Sequence, residues 1–225
     1  MAKIQFSAVG ITDMRAKLNG QVFSRNRGGA FVRTKVTPNN PRTSAQQLVR
    51  GFFGSISQGW SGLTETQRAS WNNAVDNWKR TDVFGNLRTP SGKALYQRLN
   101  NELQISGQAQ LTTAPNLVEI PAVQITGAVF DEPNVLDIAT EGSLTGFKVA
   151  IYATPPLSAG TSNANNRFRM IDVTEGAEND TYSVGTSYVA RFGRIPTDAN
   201  IQVRLKVIAP NGQVSSLYQA KAVSV

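Results

Sequence analysis

The sequence predicts an α+β fold in three parts: an extended N-terminal β-arm with a hairpin, a three-helix segment and a C-terminal all-β sandwich. Three observations predict it. Cations crowd the first 50 residues, apolar residues between 44 and 103 recur at intervals of three and four, and short β-prone runs separated by turn residues fill the rest. We place the parts at residues 1–42, 43–107 and 112–225.

The first 50 residues, which include the arm, carry all of the net charge. Residues 1–50 hold nine Lys and Arg against a single acid, Asp13, whereas the remaining 175 residues hold 14 of each sign. Within the arm, residues 22–25 and 31–36 flank Asn-Arg-Gly-Gly, which predicts a hairpin turn. Because apolar residues and cations alternate, we expect one face to pack and the other to present Arg25, Arg33 and Lys35 to an acidic partner.

Three helices follow. Thr43 or Ser44 can cap a first helix over about 44–60, and Thr64 with Gln67 forms the capping pattern of a second over about 65–79. A third helix places Leu95, Leu99 and Leu103 on one face and stops near Gly107. The spacing of the large apolar residues predicts a helical core made by Phe52, Phe53, Trp60, Trp71 and Trp78.

About seven strands are predicted after residue 112. They lie at 123–130, 135–139, 147–151, 168–173, 188–192, 201–207 and 213–223, and the last two flank an Ala-Pro-Asn-Gly turn. This number and spacing favour a fibronectin type III or immunoglobulin-like sandwich, although the absence of Cys and Trp there disfavours an antibody-type domain.

Composition narrows the possible functions. The chain has no histidine and no cysteine, which removes thiol nucleophiles, histidine-based triads and zinc sites built on these residues. The acidic groups at Asp131, Glu132 and Asp137, and at Glu175, Glu178 and Asp180, are interpreted as turn residues rather than calcium ligands or glycosidase carboxylates. We therefore predict a protein that is not an enzyme, with no cofactor and no metal. The N-terminus has no apolar core of signal-peptide length and no apolar run reaches the length of a membrane span, so we expect a soluble protein made without Sec-type export and without membrane contact.

The candidate binding residues are cations that would meet carboxylates or phosphates. Arginine outnumbers lysine six to three in the first 50 residues, and its planar fork suits bidentate contacts with either group. The predicted partner-binding set is Lys17, Arg25, Arg27, Arg33, Lys35, Arg42 and Arg50.

An ordered series of motifs carries a family resemblance. It runs from Asn-Gly-Gln-Val-Phe-Ser-Arg-Asn-Arg-Gly-Gly at residues 19–29 through Val32-Arg33 and Pro-Asn-Asn-Pro-Arg-Thr at 38–43 to Gln46, Arg50, Trp60 and Trp71. Over residues 15–105 the chain resembles a family of small uncharacterised structural proteins of tailed bacteriophages and prophages of Bacteroidetes-type hosts. The C-terminal part more distantly resembles fibronectin-like modules of virion proteins. The resemblance implies a structural role in a virion and supplies no catalytic residues.

These observations lead to one expectation and two alternatives. We expect a capsid-associated minor, auxiliary or decoration-type protein, or a component of the head-to-tail region, assembled in the host cytoplasm as part of an oligomer. Its partners would be capsid or connector subunits, with packaged DNA met through backbone contacts. The alternatives are a packaging protein that binds nucleic acid without sequence preference and a surface carbohydrate-binding module.

Overall fold

The N-terminal residues form a small antiparallel sheet. A computed structural model describes residues 2–3, 13–26, 29–37, 39–81, 85–131, 134–158, 160–196 and 199–224, and the chain divides into two units, Met1–Gln47 and Leu48–Val225. The first unit contains β1 (Ala2–Lys3), β2 (Ala16–Leu18), β3 (Gln21–Asn26) and β4 (Gly29–Thr34), in the order β1-β4-β3-β2. The predicted extended arm is therefore a four-stranded sheet.

The predicted hairpin is confirmed. β3 and β4 pair in register from Gln21 opposite Thr34 to Asn26 opposite Gly29. Gly29 has a φ of +107°, a conformation that side chains with a Cβ rarely adopt, which explains a glycine at the end of the turn. The two residues between these ends, 27 and 28, lie outside the described residues.

Three helices follow, close to the predicted positions. α1 spans Ser44–Gly62, α2 spans Glu65–Ala74 and continues as a 3-10 turn over Val75–Trp78, and after the short strands β5 (Arg80–Thr81) and β6 (Leu87–Arg88), α3 spans Gly92–Ile105. The predicted capping box of α2 is present. The backbone N–H of Gln67 donates to Thr64 Oγ1 at 3.3 Å, and the backbone N–H of Thr64 donates to Gln67 Oε1 at 2.9 Å.

The helices enclose an aromatic cluster. Trp71 and Trp78 are buried, Trp60 is half-buried, and the Trp71 and Tyr96 rings meet edge to face at 5.3 Å. Phe52 is half-buried and Phe53 is 57% exposed, so the structure corrects the placement of Phe53 in the helical core. The physical reason is the helical period: Phe52 lies in line with buried Ile56, whereas Phe53 lies on the neighbouring stripe of the helix.

The rest of the second unit is mainly one sheet. Its elements are β7 (Gln124–Asp131), β8 (Val135–Glu141), β9 (Lys148–Ala153), β10 (Arg169–Glu175), β11 (Thr181–Ser183), α4 (Gly185–Phe192), β12 (Ile201–Ile208) and β13 (Tyr218–Ser224). The order is β10-β9-β12-β13-β7-β8-β11, and all neighbours are antiparallel except β13 and β7, which are parallel. The mixture of helices with mostly antiparallel strands is compatible with an α+β class.

One predicted strand is wrong and another is wrong in part. Residues 188–192 belong to α4, where Tyr188 and Phe192 lie four positions apart and their rings approach to 5.0 Å, a contact that the helical period creates. The last strand begins at Tyr218 rather than at 213, because the chain first follows an irregular path in which the Ser215 N–H donates to the Val207 carbonyl.

The sheet packs around one core. Leu136 and Ile138 of β8 lie in the same buried cluster as Val149 and Ile151 of β9 and Leu205 of β12, although β8 and β9 belong to opposite ends of the strand order. β13 joins the two ends: its residues 218–222 pair with β12 and its last two paired positions, 223 and 224, pair with β7.

The turn after β12 lies against α3. Gly212 has a φ of +77°, and a Cβ added there would lie 2.4 Å from the Leu99 carbonyl oxygen. Nearby, Asn211 Nδ2 donates to the Asn116 carbonyl at 2.8 Å. The helical segment and the strand segment are therefore in direct contact within the second unit.

Candidate functional site

Among the described residues, the cations predicted to bind a partner are solvent-accessible. The exposed members of the predicted set are Lys17, Arg25, Arg33, Lys35, Arg42 and Arg50. Arg27 lies outside the described residues. Arg50 belongs to α1 and to the second unit, so the structure does not place the whole set on one body.

Strand register assigns the cations of the sheet to two faces. Residues opposite each other in an antiparallel pair share a face, and Lys17 lies opposite Val22, which lies opposite Arg33. Phe23 lies opposite Val32, and Arg25, two residues further along β3, belongs to that second face. The expectation of one packing face and one cationic face is wrong, because the apolar residues form Val-Phe and Phe-Val pairs that point to both sides.

Each face therefore combines an aromatic ring, a valine and positive charge. Phe31 and Val22 share the face of Lys17 and Arg33, while Phe23 and Val32 share the face of Arg25. All four apolar side chains are half-buried, and within the described residues of this unit no side chain is fully buried. A sheet without a core of its own gains stability by covering these faces with a partner.

The cations of this sheet have few acidic partners. The one acid of the first 50 residues, Asp13, accepts from Arg15 Nε at 2.8 Å. Among the described residues, Lys17, Arg25 and Arg33 form no ion pair with a carboxylate, so they can attract carboxylates or phosphates of a partner.

A second exposed feature lies on α1 and was missed in the sequence. Leu48, Val49 and Phe53 are 58%, 61% and 57% exposed. Val49 and Phe53 line a groove of about 760 Å³ against Ala94 and Gln97 of α3. The signal was present, since two adjacent apolar stripes run along this helix and only one of them can face a core.

The acidic groups predicted to be turn residues lie in the strand segment. Among the described residues, no three acidic side chains converge. Glu175 pairs with Lys148, and Asp180 Oδ1 accepts from the N–H of Thr181 at 2.8 Å, as a turn residue does. Glu132 lies outside the described residues. In the described part of the chain, no helix combines the length and apolar character needed to cross a bilayer.

Comparison with known proteins does not assign the chain to a family. No family model and no curated protein matches the chain. A solved structure, that of T. fusca AA10A, is similar over 83% of this chain and 88% of its own, with 15% sequence identity and a TM-score of 0.31.

This comparison corrects the prediction about catalysis. AA10A is a lytic polysaccharide monooxygenase, which is an enzyme. The prediction that the chain is not an enzyme is withdrawn. At a TM-score of 0.31 the likeness assigns neither a fold nor a reaction to this chain.

Proposed function

We propose that the chain is a structural protein of a bacteriophage virion, bound to capsid or connector subunits through its N-terminal sheet. The observation that carries this proposal is the sheet itself, which has cations and half-buried aromatic rings on both faces and no fully buried side chain among its described residues. Such a surface is suited to covering by another protein whose face is acidic and partly apolar. The motif series of residues 15–105 adds the virion context.

The exposed stripe of α1 supports a second contact. Exposed Val49 and Phe53 line one groove together with Arg50, and apolar patches of this kind mark interaction surfaces more often than scattered single residues do. The helical segment thereby adds to the attachment made by the sheet, and the site in the particle is on the capsid surface or in the head-to-tail region.

We further propose that the strand segment is a fibronectin-like or immunoglobulin-like sandwich that projects from the particle or links neighbouring subunits. The support is the core shared by β8, β9 and β12 and the change of partner along β13, which pairs with β12 and then with β7. Strands that pass from one sheet to the other are a feature of sandwich folds.

Co-sedimentation with purified particles tests the attachment. The intact chain should pellet with particles, and a variant lacking residues 1–42 should remain in the supernatant. The double variant Arg25→Gln/Arg33→Gln removes one cation from each face and should weaken binding at least about tenfold, since charged contacts contribute about 1.5–3 kcal/mol each. Arg167→Gln/Lys221→Gln removes two exposed cations of the second unit and is the matched control. Equal pelleting of all four proteins would refute the role of the sheet.

A second candidate function is binding of nucleic-acid backbone. Cations on both faces of a narrow sheet favour it, because phosphates of a wrapped or packaged strand can approach from either side. Filter binding across a salt series separates the candidates. Neutralising about five phosphates gives a slope near −4.5 in log K against log salt, and no retention of DNA at low salt would exclude this function.

A further inference from the structure

A second group of cations lies in the part of the chain after residue 50, which carries no net charge. A cavity of about 330 Å³ opens between the 3-10 turn, α3 and the turn after β12, and its charged lining residues are Lys79, Arg80, Arg98 and Glu102. Its walls include the ring of Trp78, with the Arg98 guanidinium 5.3 Å from the ring centroid. This volume is at the lower end of the range of small-molecule sites.

Ion pairs account for part of this charge. Glu102 is bound to Lys206 Nζ at 2.6 Å, and Lys79 Nζ lies 3.1 Å from Asp76 Oδ1. Within the described part of the chain, neither Arg80 nor Arg98 forms an ion pair with a carboxylate. The guanidinium groups of Arg80 and Arg98 therefore give the cavity two positive charges that no carboxylate of the described residues balances.

The two guanidinium groups are close enough to influence each other. Burial, and then the positive charge of Arg80, lower the pKa of the Arg98 guanidinium below its ordinary value. Like charges held together near a half-buried cavity are stabilised by an anion placed between them. The ring of Trp78 fixes Arg98 on one side, so its planar fork is oriented before a ligand arrives.

We propose that this cavity binds a dianionic phosphate group, free or as a monoester, with Arg80 and Arg98 as its charged ligands. Two guanidinium groups match the charge of about −2 that a phosphate monoester carries above pH 7, and their forks match its oxygens. Gln213 lines the same cavity and uses its Oε1 atom to accept from the Val118 N–H at 3.1 Å, which leaves its amide nitrogen as a further donor.

Calorimetric titration with inorganic phosphate at about pH 8 and constant ionic strength tests the proposal. Phosphate should bind, and acetate and chloride should not. Arg80→Gln should weaken phosphate binding at least about tenfold. The charge-matched control Arg167→Gln, at an exposed position outside the cavity, should change it less than about twofold.

Two further arms identify the ligand and guard against misfolding. O-phosphoserine should bind as inorganic phosphate does, whereas dimethyl phosphate, a monoanion like the diesters of nucleic acid, should bind about tenfold more weakly. Arg98→Lys keeps the charge but removes the fork, and should also lose affinity. Equal affinity for phosphate and acetate, or unchanged phosphate affinity in both Arg80→Gln and Arg98→Lys, would overturn the proposal.

Discussion

Lys206 of β12 and Glu102 of α3 form an ion pair, with 2.6 Å between Nζ and Oε2, across a sequence separation of 104 residues. Both side chains are mostly shielded, at 13% and 20% exposure. Burial by itself lowers the pKa of the Lys206 ammonium, but the hydrogen bond and the charge of Glu102 outweigh it, so the pKa is raised overall. The pair is one of the contacts that join the helical and strand segments.

Replacing Lys206 should destabilise the protein. Lys206→Met leaves the Glu102 carboxylate shielded without its partner, at a cost of about 2–3 kcal/mol in the free energy of unfolding, below the range for fully buried pairs because both groups keep some water. Urea unfolding measures this cost. The double variant Lys206→Met/Glu102→Gln should recover more than half of the loss, and a loss equal to the sum of the two single variants would show that the pair is not coupled.

Alkaline pH should lower the stability. Burial raises the pKa of Tyr188, Tyr182 and Tyr96, and the pKa of Lys206 is also raised. A group whose pKa is higher in the folded state stabilises that state below its unfolded pKa, and the contribution is lost as the pH rises through the folded value. The melting temperature should therefore fall above about pH 10.

Tyr188→Phe provides the control for this pH dependence. The Tyr188 hydroxyl donates to the Thr154 carbonyl at 3.0 Å, so the variant loses stability at neutral pH. Above about pH 10 it should lose less with each pH unit than the unsubstituted protein, because one titrating group has been removed. Parallel melting curves for the two proteins between about pH 9 and 11.5 would contradict this account.

Truncating Ile56 should lower the free energy of unfolding far more than truncating Phe53, although both residues lie on α1. Ile56 is 1% exposed and Phe53 57% exposed. Ile56→Ala should cost about 2–4 kcal/mol, whereas Phe53→Ser should change the free energy of unfolding by less than about 0.5–1 kcal/mol. Thermal or urea unfolding of the two variants decides, and a large loss at Phe53 would mean that α1 buries its second stripe.

Gly212 should tolerate alanine less well than Gly107 does. Both have positive φ, +77° and +71°, but a Cβ at Gly212 meets the Leu99 carbonyl oxygen at 2.4 Å while a Cβ at Gly107 meets nothing within 4 Å. Gly107→Ala should cost about 1–2 kcal/mol from the backbone alone. Gly212→Ala should cost at least about 1 kcal/mol more, because the turn or α3 must move. Equal losses in urea unfolding would remove the argument for close packing there.

Much of the fold could be predicted because its signals are local. Thr64 and Gln67 form a capping box whose two members are three residues apart, and Ser91 Oγ accepts from the Ala94 N–H at 3.2 Å at the start of α3. The pattern of residues 188–192 does not separate a strand from a helix, because aromatic residues four positions apart fit both the strand period of two and the helical period of 3.6. The burial of Tyr188 favours the helix.

The surfaces and pairings were harder to predict, since they depend on residues far apart in the sequence. Whether Phe53 faces a core depends on where α3 lies, and the partner of Lys206 is 104 positions away. The cavity with Arg80 and Arg98 was missed for the same reason: overall neutrality after residue 50 concealed a local excess of charge. The net charge of a segment does not show which charged side chains lie close together in the folded protein, and binding depends on that arrangement.

The Val22-Phe23 pair of β3 has a consequence for stoichiometry. Consecutive residues of a strand point to opposite faces of the sheet, and each face has its own aromatic ring and cation. The N-terminal sheet therefore has two faces to which a partner can bind. In the proposed virion role, one copy would contact two neighbouring subunits, one on each face of the sheet. The number of copies bound to a saturated particle would then equal the number of contacts between neighbouring subunits rather than the number of subunits.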